Sequence, residues 1–268
     1  MATAQRTGIK GGSLVIAIIM AVFALFKYYS SSQYNPILET QQQVALSVDQ
    51  EIALGLQSAP QMAQQHGGLY PDQKAQQYIK QVGQKIVNAS AAKTSEYAFD
   101  FHLLADPQVV NAFALPGGQV FITLALFNQL DNENQLAGIL GHEIAHVIAR
   151  HSAQRIAKQQ LAEGLSGAAV LATYDPNNPA TTQTAQIANV IANLVTMKYG
   201  REDELQSDEL GVRFMSEAGY DPNALISVME ILKAAAGGAN RQPEFFSTHP
   251  NPENRIENIK AAIAKYHK

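Results

Sequence analysis

The chain has 268 residues, of which 46% are hydrophobic and only 16% are charged, so it is long enough to bury a substantial core. Its net charge of -4 gives no electrostatic case for nucleic acid, and we expect no nucleic-acid partner. Because the chain contains no cysteine, disulfide bonds, thiolate metal ligands and thiol nucleophiles are excluded.

The first element in chain order is an apolar segment near the N-terminus. Residues 11–26 carry no charge, lie between two lysines and are followed by two tyrosines. As a helix this stretch spans roughly 24 Å, so it crosses a hydrocarbon core of roughly 30 Å only if the flanking tyrosines and lysines extend it. We predict a transmembrane anchor or a signal segment over residues 11–29, and we favour the uncleaved anchor.

Charges beside this segment predict its orientation. Arg6 and Lys10 precede it, which favours a cytoplasmic N-terminal segment over residues 1–10. The rest of the chain is then expected on the non-cytoplasmic side, which is the periplasm in a Gram-negative bacterium. The alternative is cleavage of the segment and secretion into the same compartment, although the serines at 30–32 form only a weak exit site.

A polar linker is predicted over residues 30–46, followed by one folded domain over residues 47–268. Ser47 and Gln50 form a plausible capping box for a helix that continues to about residue 65. After two glycines, a second helix is predicted from Pro71 to about residue 89.

Alternating apolar residues next predict a small sheet. Residues 97–104 indicate one strand, and residues 109–115 and 119–123 flank Pro116-Gly117-Gly118 as an expected hairpin. If the first arm is an edge strand, it can bind an extended polypeptide as an added strand. The candidate substrate-binding residues are therefore Asn111, Ala112, Phe113 and Ala114. An ordinary core hairpin is the alternative.

The most specific chemical signal is the run His142-Glu143-Ile-Ala-His146. Two histidines four residues apart on a helix project from one face and can hold one ion, for which zinc is the preferred metal. Glu143 lies one position from the first histidine, where its carboxylate can reach a water on the metal without entering the coordination sphere. This spacing is typical of a hydrolase.

The motif requires a helix, and the surrounding sequence predicts one. Asp131 or Asn132 can cap its start, and apolar residues then recur at helical spacing to beyond residue 151. His151 is nine positions after His142, about half a turn out of phase, so it should face away from the metal on a continuous helix. We interpret it as structural, and we expect surface or satisfied interior positions for His66, His102 and His267.

Beyond this helix the sequence predicts further helices separated by turns. Residues 161–173 and 181–197 are interpreted as close-packed core helices, with a turn at residues 174–179 between them. Another turn is expected within residues 216–223, before a helix that continues through Leu232.

Two histidines and a water leave one protein ligand to be found, and the acidic segment around residues 202–209 offers candidates. Glu204 and Asp208 are four residues apart and would share a helical face. We interpret Glu204 as the third ligand and Asp208 as the acceptor for the free ring N–H of a zinc histidine, which fixes its tautomer. A solvated acidic helix face is the alternative, and the other candidate ligands are Glu202, Asp203 and Glu209.

Four ordered motifs together resemble the HtpX-like and CAAX prenyl protease type of zinc metallopeptidases, a gluzincin family. The similarity extends over roughly residues 47–268, and one departure is Ser207, where the family pattern has alanine before the aspartate. The matching runs are residues 111–118, 142–151 and 204–208, and residues 247–250 with Arg255.

The resemblance implies one zinc ion per chain, bound by His142, His146 and Glu204, with Glu143 as the general base. The base would accept the proton of a zinc-activated water and deliver it to the leaving amine.

A donor to the developing oxyanion is also expected in the C-terminal segment, and His249 and Arg255 are the candidates. The resemblance implies that the loop of His249 can also approach the metal and restrict access. The alternatives are a loop histidine beside Pro250 and an exposed ion pair of Arg255 with an acidic neighbour.

The sequence therefore predicts an α+β fold: a helix-rich, gluzincin-like metalloprotease domain with a small β-sheet beside the active-site helix. The expected activity is zinc-dependent internal cleavage of extended or unfolded polypeptides. A role in envelope protein quality control is expected from the family likeness and the inferred location alone. The alternatives are a non-catalytic or latent membrane-tethered chaperone or adaptor, a metal-sensing structural protein that binds zinc without turnover, and an exopeptidase.

Overall fold

The computed structural model describes residues 11–173, 199–237, 244–250 and 254–267. These residues form two compact units. The first contains the N-terminal helix, a small hairpin and the helix that follows the metal motif from Ala153 onward. The second contains the remaining described elements, including the whole metal motif. The predicted core helix over 181–197 and the turn over 174–179 lie outside the described residues.

In the first unit, helix α1 (Gly11–Ser30) covers the predicted membrane segment. Because it continues through both tyrosines, its 20 residues span roughly 30 Å, which matches a hydrocarbon core. By length and composition it can cross a membrane, and most of its side chains are exposed. The apolar side chains that it exposes include Phe23 and Phe26, as expected for a lipid-facing surface.

The predicted linker contains regular structure. Strands β1 (Ser32–Asn35) and β2 (Thr40–Gln43) pair as an antiparallel hairpin, in which Asn35 donates a hydrogen bond to the side chain of Gln42. The position of the later helix α6 also differs from the predicted domain boundaries, because from Ala153 it groups with this first unit.

Helix α6 (His151–Thr173) includes the predicted Ala- and Gly-rich helix over 161–173. A Cβ atom added to Gly164 would lie 2.7 Å from the Cβ of Ala24, so the close packing of α6 on α1 requires the glycine.

In the second unit, helix α2 (Val48–Gln65) begins with the predicted capping box, since Gln50 N–H donates to Ser47 Oγ and Ser47 N–H to Gln50 Oε1. Helix α3 (Gln73–Ala89) begins after Asp72, whose carboxylate accepts two N–H groups of the first turn. A short 3₁₀ helix (Ala91–Thr94) follows.

The three-stranded sheet has the order β3, β5, β4. Strand β3 (Asp100–Leu104) is parallel to β5 (Gln119–Thr123), and β4 (Ala112–Leu115) is antiparallel to it, with Ala112 opposite Ile122. The predicted hairpin is confirmed, and β4 is an edge strand of this sheet. A short helix, α4 (Leu124–Phe127), follows directly.

Helix α5 (Glu133–Ile148) carries the metal motif and lies in the hydrophobic core. Its cap is Asn132, as predicted, with the side chain accepting from Gln135 N–H. Every residue from Gln135 to Ile148 is buried, because α3, α7 (Arg201–Glu217), α8 (Ala224–Gly237) and β4 pack around it. Short helix α9 (Glu244–Thr248) and helix α10 (Arg255–Tyr266) complete the described elements.

Two sequence expectations on the helices are settled by these bounds. The turn before Leu232 is confirmed, since α7 ends at Glu217 and Gly219 has a φ of 74°. The prediction that α5 continues beyond residue 151 is wrong. It ends at Ile148, and Arg150 adopts a left-handed conformation with a φ of 55° before α6 begins. The α+β class is confirmed.

Candidate metal centre

The two motif histidines and the downstream glutamate lie together in the buried interior of the second unit. His142 Nε2 and His146 Nε2 are 3.0 Å apart, and each lies 3.5 Å from a carboxylate oxygen of Glu204. Ligand atoms held at 2.0–2.1 Å in a tetrahedral zinc site are separated by about 3.3–3.4 Å. The three side chains therefore fit one zinc ion.

Close packing of two helices produces this arrangement. The backbone of α5 approaches that of α7 at Gly141 and Gly211, where an added Cβ on Gly211 would lie 3.2 Å from His142 N. Because Glu204 is about two helical turns before Gly211, its side chain reaches the histidines from the neighbouring helix.

The acidic segment divides into buried and exposed positions. Glu204 and Asp208 are fully buried, so the alternative of a solvated helix face is wrong for both. The description as a solvated helix face fits Glu202 and Glu209, which are exposed. Glu209 also pairs with a lysine of α10. Asp203 accepts the N–H of Gly200 at the start of the helix. Of the four glutamates and aspartates considered as ligands, Glu204 alone lies against the histidines.

Asp208 lies where an acceptor for a zinc histidine is expected. Its Oδ1 is 3.0 Å from His142 Nδ1, so it can accept a hydrogen bond from the ring N–H while Nε2 faces Glu204. Hydrogen bonds of this kind orient a metal-binding ring and fix its tautomer.

Arg255 corrects one sequence expectation. Its guanidinium is buried, with Nε 2.6 Å and Nη2 2.9 Å from the two oxygens of Asp208, and Nη1 3.1 Å from Glu204 Oε2. Nη2 also lies 3.3 Å from His142 Nε2. The guanidinium therefore pairs with these two carboxylates, and the oxyanion role of Arg255 stays a prediction. The alternative of an exposed ion pair is wrong.

Burial and neighbouring charges shift the pKa values of the cluster. Burial alone would lower the pKa of His142, but the neighbouring carboxylates of Asp208 and Glu204 raise it to about 9. Burial, with nearby His142 and His151, lowers the pKa of His146 well below its usual value. Burial raises the pKa of Glu143 to about 7, in the range suited to a general base near neutral pH.

The charges of the site also fit a divalent cation. Three buried carboxylates, of Glu143, Glu204 and Asp208, face one guanidinium, of Arg255. Within the described part of the chain, the oxygens of Glu204 accept no hydrogen bond. Buried charge without compensation is costly, and a zinc ion would balance the excess and use these oxygens.

His249 lies in the same cluster. Four side chains, those of His142, His146, Glu204 and His249, each have a possible ligand atom within 4.8 Å of the others. The His249 ring stacks on Phe245 at 4.4 Å, its Nδ1 lies 2.9 Å from Thr248 Oγ1, and its Nε2 lies 3.6 Å from Glu143 Oε1. It lies just after the end of α9, beside Pro250, and is fully buried rather than exposed.

His151 contradicts its predicted position. Its Nδ1 lies 2.9 Å from His146 Nδ1, because the chain turns at Arg150 after the end of α5 and brings the ring beside His146. Its position shortly after the motif is a sequence signal for this site. The predicted orientation of its ring depends on a continuous helix, which the structure does not have. Sequence reasoning also missed Tyr199, whose ring stacks on His146 at 3.9 Å, and no local pattern marks it. Two other histidines are satisfied interior residues as expected, with His66 beside Asp106 and His102 beside Gln119.

The edge strand has an orientation suited to peptide binding. Thr123 N–H donates to Asn111 C=O across the hairpin. Because hydrogen bonds alternate along an antiparallel pair, the backbone groups of Ala112 and Ala114 point away from β5, and the N–H of Ala114 faces the carboxylate of Glu143. All four residues of 111–114 are buried, backbone included, so peptide binding at this edge requires that it be uncovered.

An HExxH helix that meets a glutamate from a second helix defines a gluzincin-type metallopeptidase site. A sequence profile for peptidase family M48 matches residues 73–263, and the chain belongs to this family. Zinc is the metal that M48 metallopeptidases use, and the described cluster can hold it.

The names of similar proteins agree with this family. The chain is 32% identical to the Beta-barrel assembly-enhancing protease of Escherichia coli strain K12 over 235 residues, which cover 85% of this chain and 47% of that protein. It is 32% identical to the protein of the same name from Yersinia pestis, covering 84% and 46%. It is 29% identical to the Mitochondrial metalloendopeptidase OMA1 of Schizosaccharomyces pombe, covering 87% and 66%. The chain thus spans about half the length of the first two relatives.

Proposed function

We propose that this chain is a zinc-dependent metalloendopeptidase. The observation that carries the proposal is the buried cluster in which His142, His146 and Glu204 face one another at 3.0–3.5 Å with Glu143 beside them. Membership of peptidase family M48 supports it. The three facing side chains are the proposed ligands of one zinc ion.

The chain's own residues supply the proton transfers. Zinc, when bound, acts as a Lewis acid and lowers the pKa of a water to about 7. Glu143 accepts the proton of the attacking water and delivers it to the leaving amine. Asp208 orients His142, and Arg255 keeps the charges of Asp208 and Glu204 compensated.

The proposed substrate is an extended segment of polypeptide. It would add to the edge of β4 that does not pair with β5, where the outward N–H and C=O groups of Ala112 and Ala114 are the recognition elements once this buried edge is uncovered. Recognition through main-chain groups selects backbone conformation more than side-chain identity, so unfolded polypeptides fit this site.

A scan of backbone N-methylation on a peptide substrate tests this mode of binding. The full chain in detergent is expected to cleave an extended peptide with blocked termini, because an endopeptidase needs neither end. N-methylation is expected to raise KM by about tenfold or more at every second residue on one side of the cleaved bond, since alternate N–H groups donate to an added strand. Peptide cleavage at each methylated position is measured by mass spectrometry.

The control is the same scan with alanine substituted for each side chain, which should have smaller effects. Equal sensitivity at consecutive N-methylated positions would contradict strand addition. Failure to cleave the blocked peptide, with cleavage of the unblocked one, would indicate an exopeptidase.

We also propose that His249 closes the catalytic site in the described conformation. Hydrolysis needs an open metal position for water, and His249 lies within ligand distance of the other three side chains. The expected consequence is latency, relieved when α9 and His249 move.

Substitution of this histidine tests the latency. His249→Ala is expected to raise kcat about tenfold with zinc content unchanged, because access of water is restored while three ligands remain. His102→Ala, a histidine of β3, is the matched control and should leave kcat as it is. A drop in kcat of His249→Ala would contradict closure and assign this histidine to oxyanion stabilisation.

The location and biological role are proposed from charge and relatives. Helix α1 anchors the chain in a membrane, and the positive charges that precede it favour a catalytic unit on the non-cytoplasmic side, the periplasm in a Gram-negative cell. The names of the bacterial relatives refer to assembly of β-barrels, which supports a role in envelope protein quality control. Unfolded envelope proteins are then the proposed substrates.

A further inference from the structure

We propose that His151 is a positioning residue, which fixes the tautomer and the ring orientation of His146 at the zinc site. The inference rests on the proposed function, because it assigns a role toward the same metal centre. His151 is 1% exposed and lies on the side of His146 opposite to Glu204.

The hydrogen bonds define a chain of three groups. His146 Nε2 faces the cluster, so its proton lies on Nδ1 when Nε2 binds metal. His151 Nδ1 lies 2.9 Å from this nitrogen and therefore accepts a hydrogen bond from it. The proton of His151 is then on Nε2, which lies 2.9 Å from Gln206 Oε1 and donates to it.

This arrangement gives each zinc histidine an acceptor of its own. His142 has the carboxylate of Asp208, and His146 has the neutral imidazole of His151. A neutral acceptor keeps the site balanced, because Glu143, Glu204 and Asp208 already match the charges of Arg255 and one zinc ion. Acceptors of this kind raise the basicity of the ligand and hold its ring in place.

The end of α5 and the turn that follows it bring His151 into position. On a continuous helix, five residues advance about 500°, so His151 would lie about 140° from His146 and could not meet it. The left-handed conformation of Arg150 turns the chain back. This conformation is unfavourable for a long side chain, and hydrogen bonds of that side chain to Glu51 and Leu46 hold it.

Those contacts come from the start of α2. Arg150 Nε donates to Glu51 Oε2 at 3.0 Å, and Nη2 donates to Leu46 C=O at 2.7 Å. Tyr97 Oη donates to the same glutamate oxygen at 2.5 Å. The orientation of a zinc histidine is thereby connected to residues about a hundred positions earlier in the sequence.

The test compares zinc affinity in variants of the full chain in detergent, by competition with a chromogenic chelator. His151→Leu, which fills the volume without an acceptor, is expected to weaken zinc binding by about 10–100-fold. His151→Gln can accept from His146 and donate to Gln206, so it is expected to recover affinity to within about threefold of the native chain. His102→Leu, at a histidine of β3, is the control and should bind zinc normally.

A second measurement separates hydrogen bonding from packing. In Co²⁺-loaded protein, the visible absorption bands of His151→Leu should shift, while those of His151→Gln should match the native bands, because the bands report ligand geometry. If His151→Leu does not fold, Gln206→Leu, which removes the last acceptor of the chain, should weaken zinc binding by about fivefold.

The outcomes distinguish this inference from the proposed function. A native chain that binds no zinc overturns the proposed function and this inference with it. Tight native binding with equal affinity in His151→Leu overturns the positioning role alone. Weak binding by both His151→Leu and His151→Gln also overturns it, since shape rather than a hydrogen bond would then be responsible.

Discussion

Glu143→Gln is expected to abolish peptide hydrolysis and leave zinc bound. The amide has nearly the shape of the carboxylate but cannot accept a proton from water, so kcat should fall by about 10³-fold or more. Hydrolysis of an unfolded protein such as casein is measured for the full chain, together with zinc content. The matched control is Glu133→Gln, the same change on the same helix at an exposed position, and it should retain activity.

Binding of casein without cleavage by the native chain would favour the adaptor over the peptidase. A latent enzyme gives the same result, so His249→Ala is measured alongside it. Cleavage by His249→Ala that disappears in the double variant with Glu143→Gln identifies latency. Loss of zinc from Glu143→Gln would contradict the assignment of Glu143 as a base outside the coordination sphere.

Glu204→Ala is expected to remove zinc at concentrations that saturate the native chain. Binding energies of about 10–16 kcal/mol shared among four ligands correspond to about 10²–10³-fold in affinity for one of them. Bound metal is measured by mass spectrometry after dialysis against a weak chelator. Glu202→Ala removes an exposed carboxylate two residues away and should retain zinc.

Retention of zinc by Glu204→Ala, with the affinity undiminished, would remove this residue from the coordination sphere. Its distances of 3.5 Å to both histidines would then reflect only charge attraction. A parallel loss in Glu202→Ala would point instead to unfolding of the start of α7.

The parts of the site that sequence reasoning found are those set by local helix geometry. The i, i+4 spacing places His142 and His146 on one face, and the same spacing places Glu204 one turn before Asp208. The structure buries these side chains and brings them together, and their assignment to a metal site stays a proposal. The cap at Asn132 and the hairpin around residues 115–119 were found for the same reason, since both depend on short-range backbone preferences.

The features that were missed depend on contacts between distant residues. The left-handed turn at Arg150 is held by Glu51 and Leu46, so no pattern near residue 150 predicts the end of α5. The same applies to Arg255, which pairs with Asp208 across 47 positions, and to the stacking of Tyr199 on His146. Helical phase alone therefore gave the wrong side for a residue only five positions beyond the motif.

The approach of α5 and α7 at Gly141 and Gly211 has a consequence for how the ion is acquired. Because the two helix backbones are closely packed, the distance between them is fixed when the helices pack. The same packing fixes the spacing of the metal-facing side chains, here called arms: the histidines of α5 and the glutamate of α7. We therefore expect these arms to be ordered before the metal binds. Zinc would then bind to ligands that are already positioned. This favours rapid binding and a backbone that changes little when the metal binds.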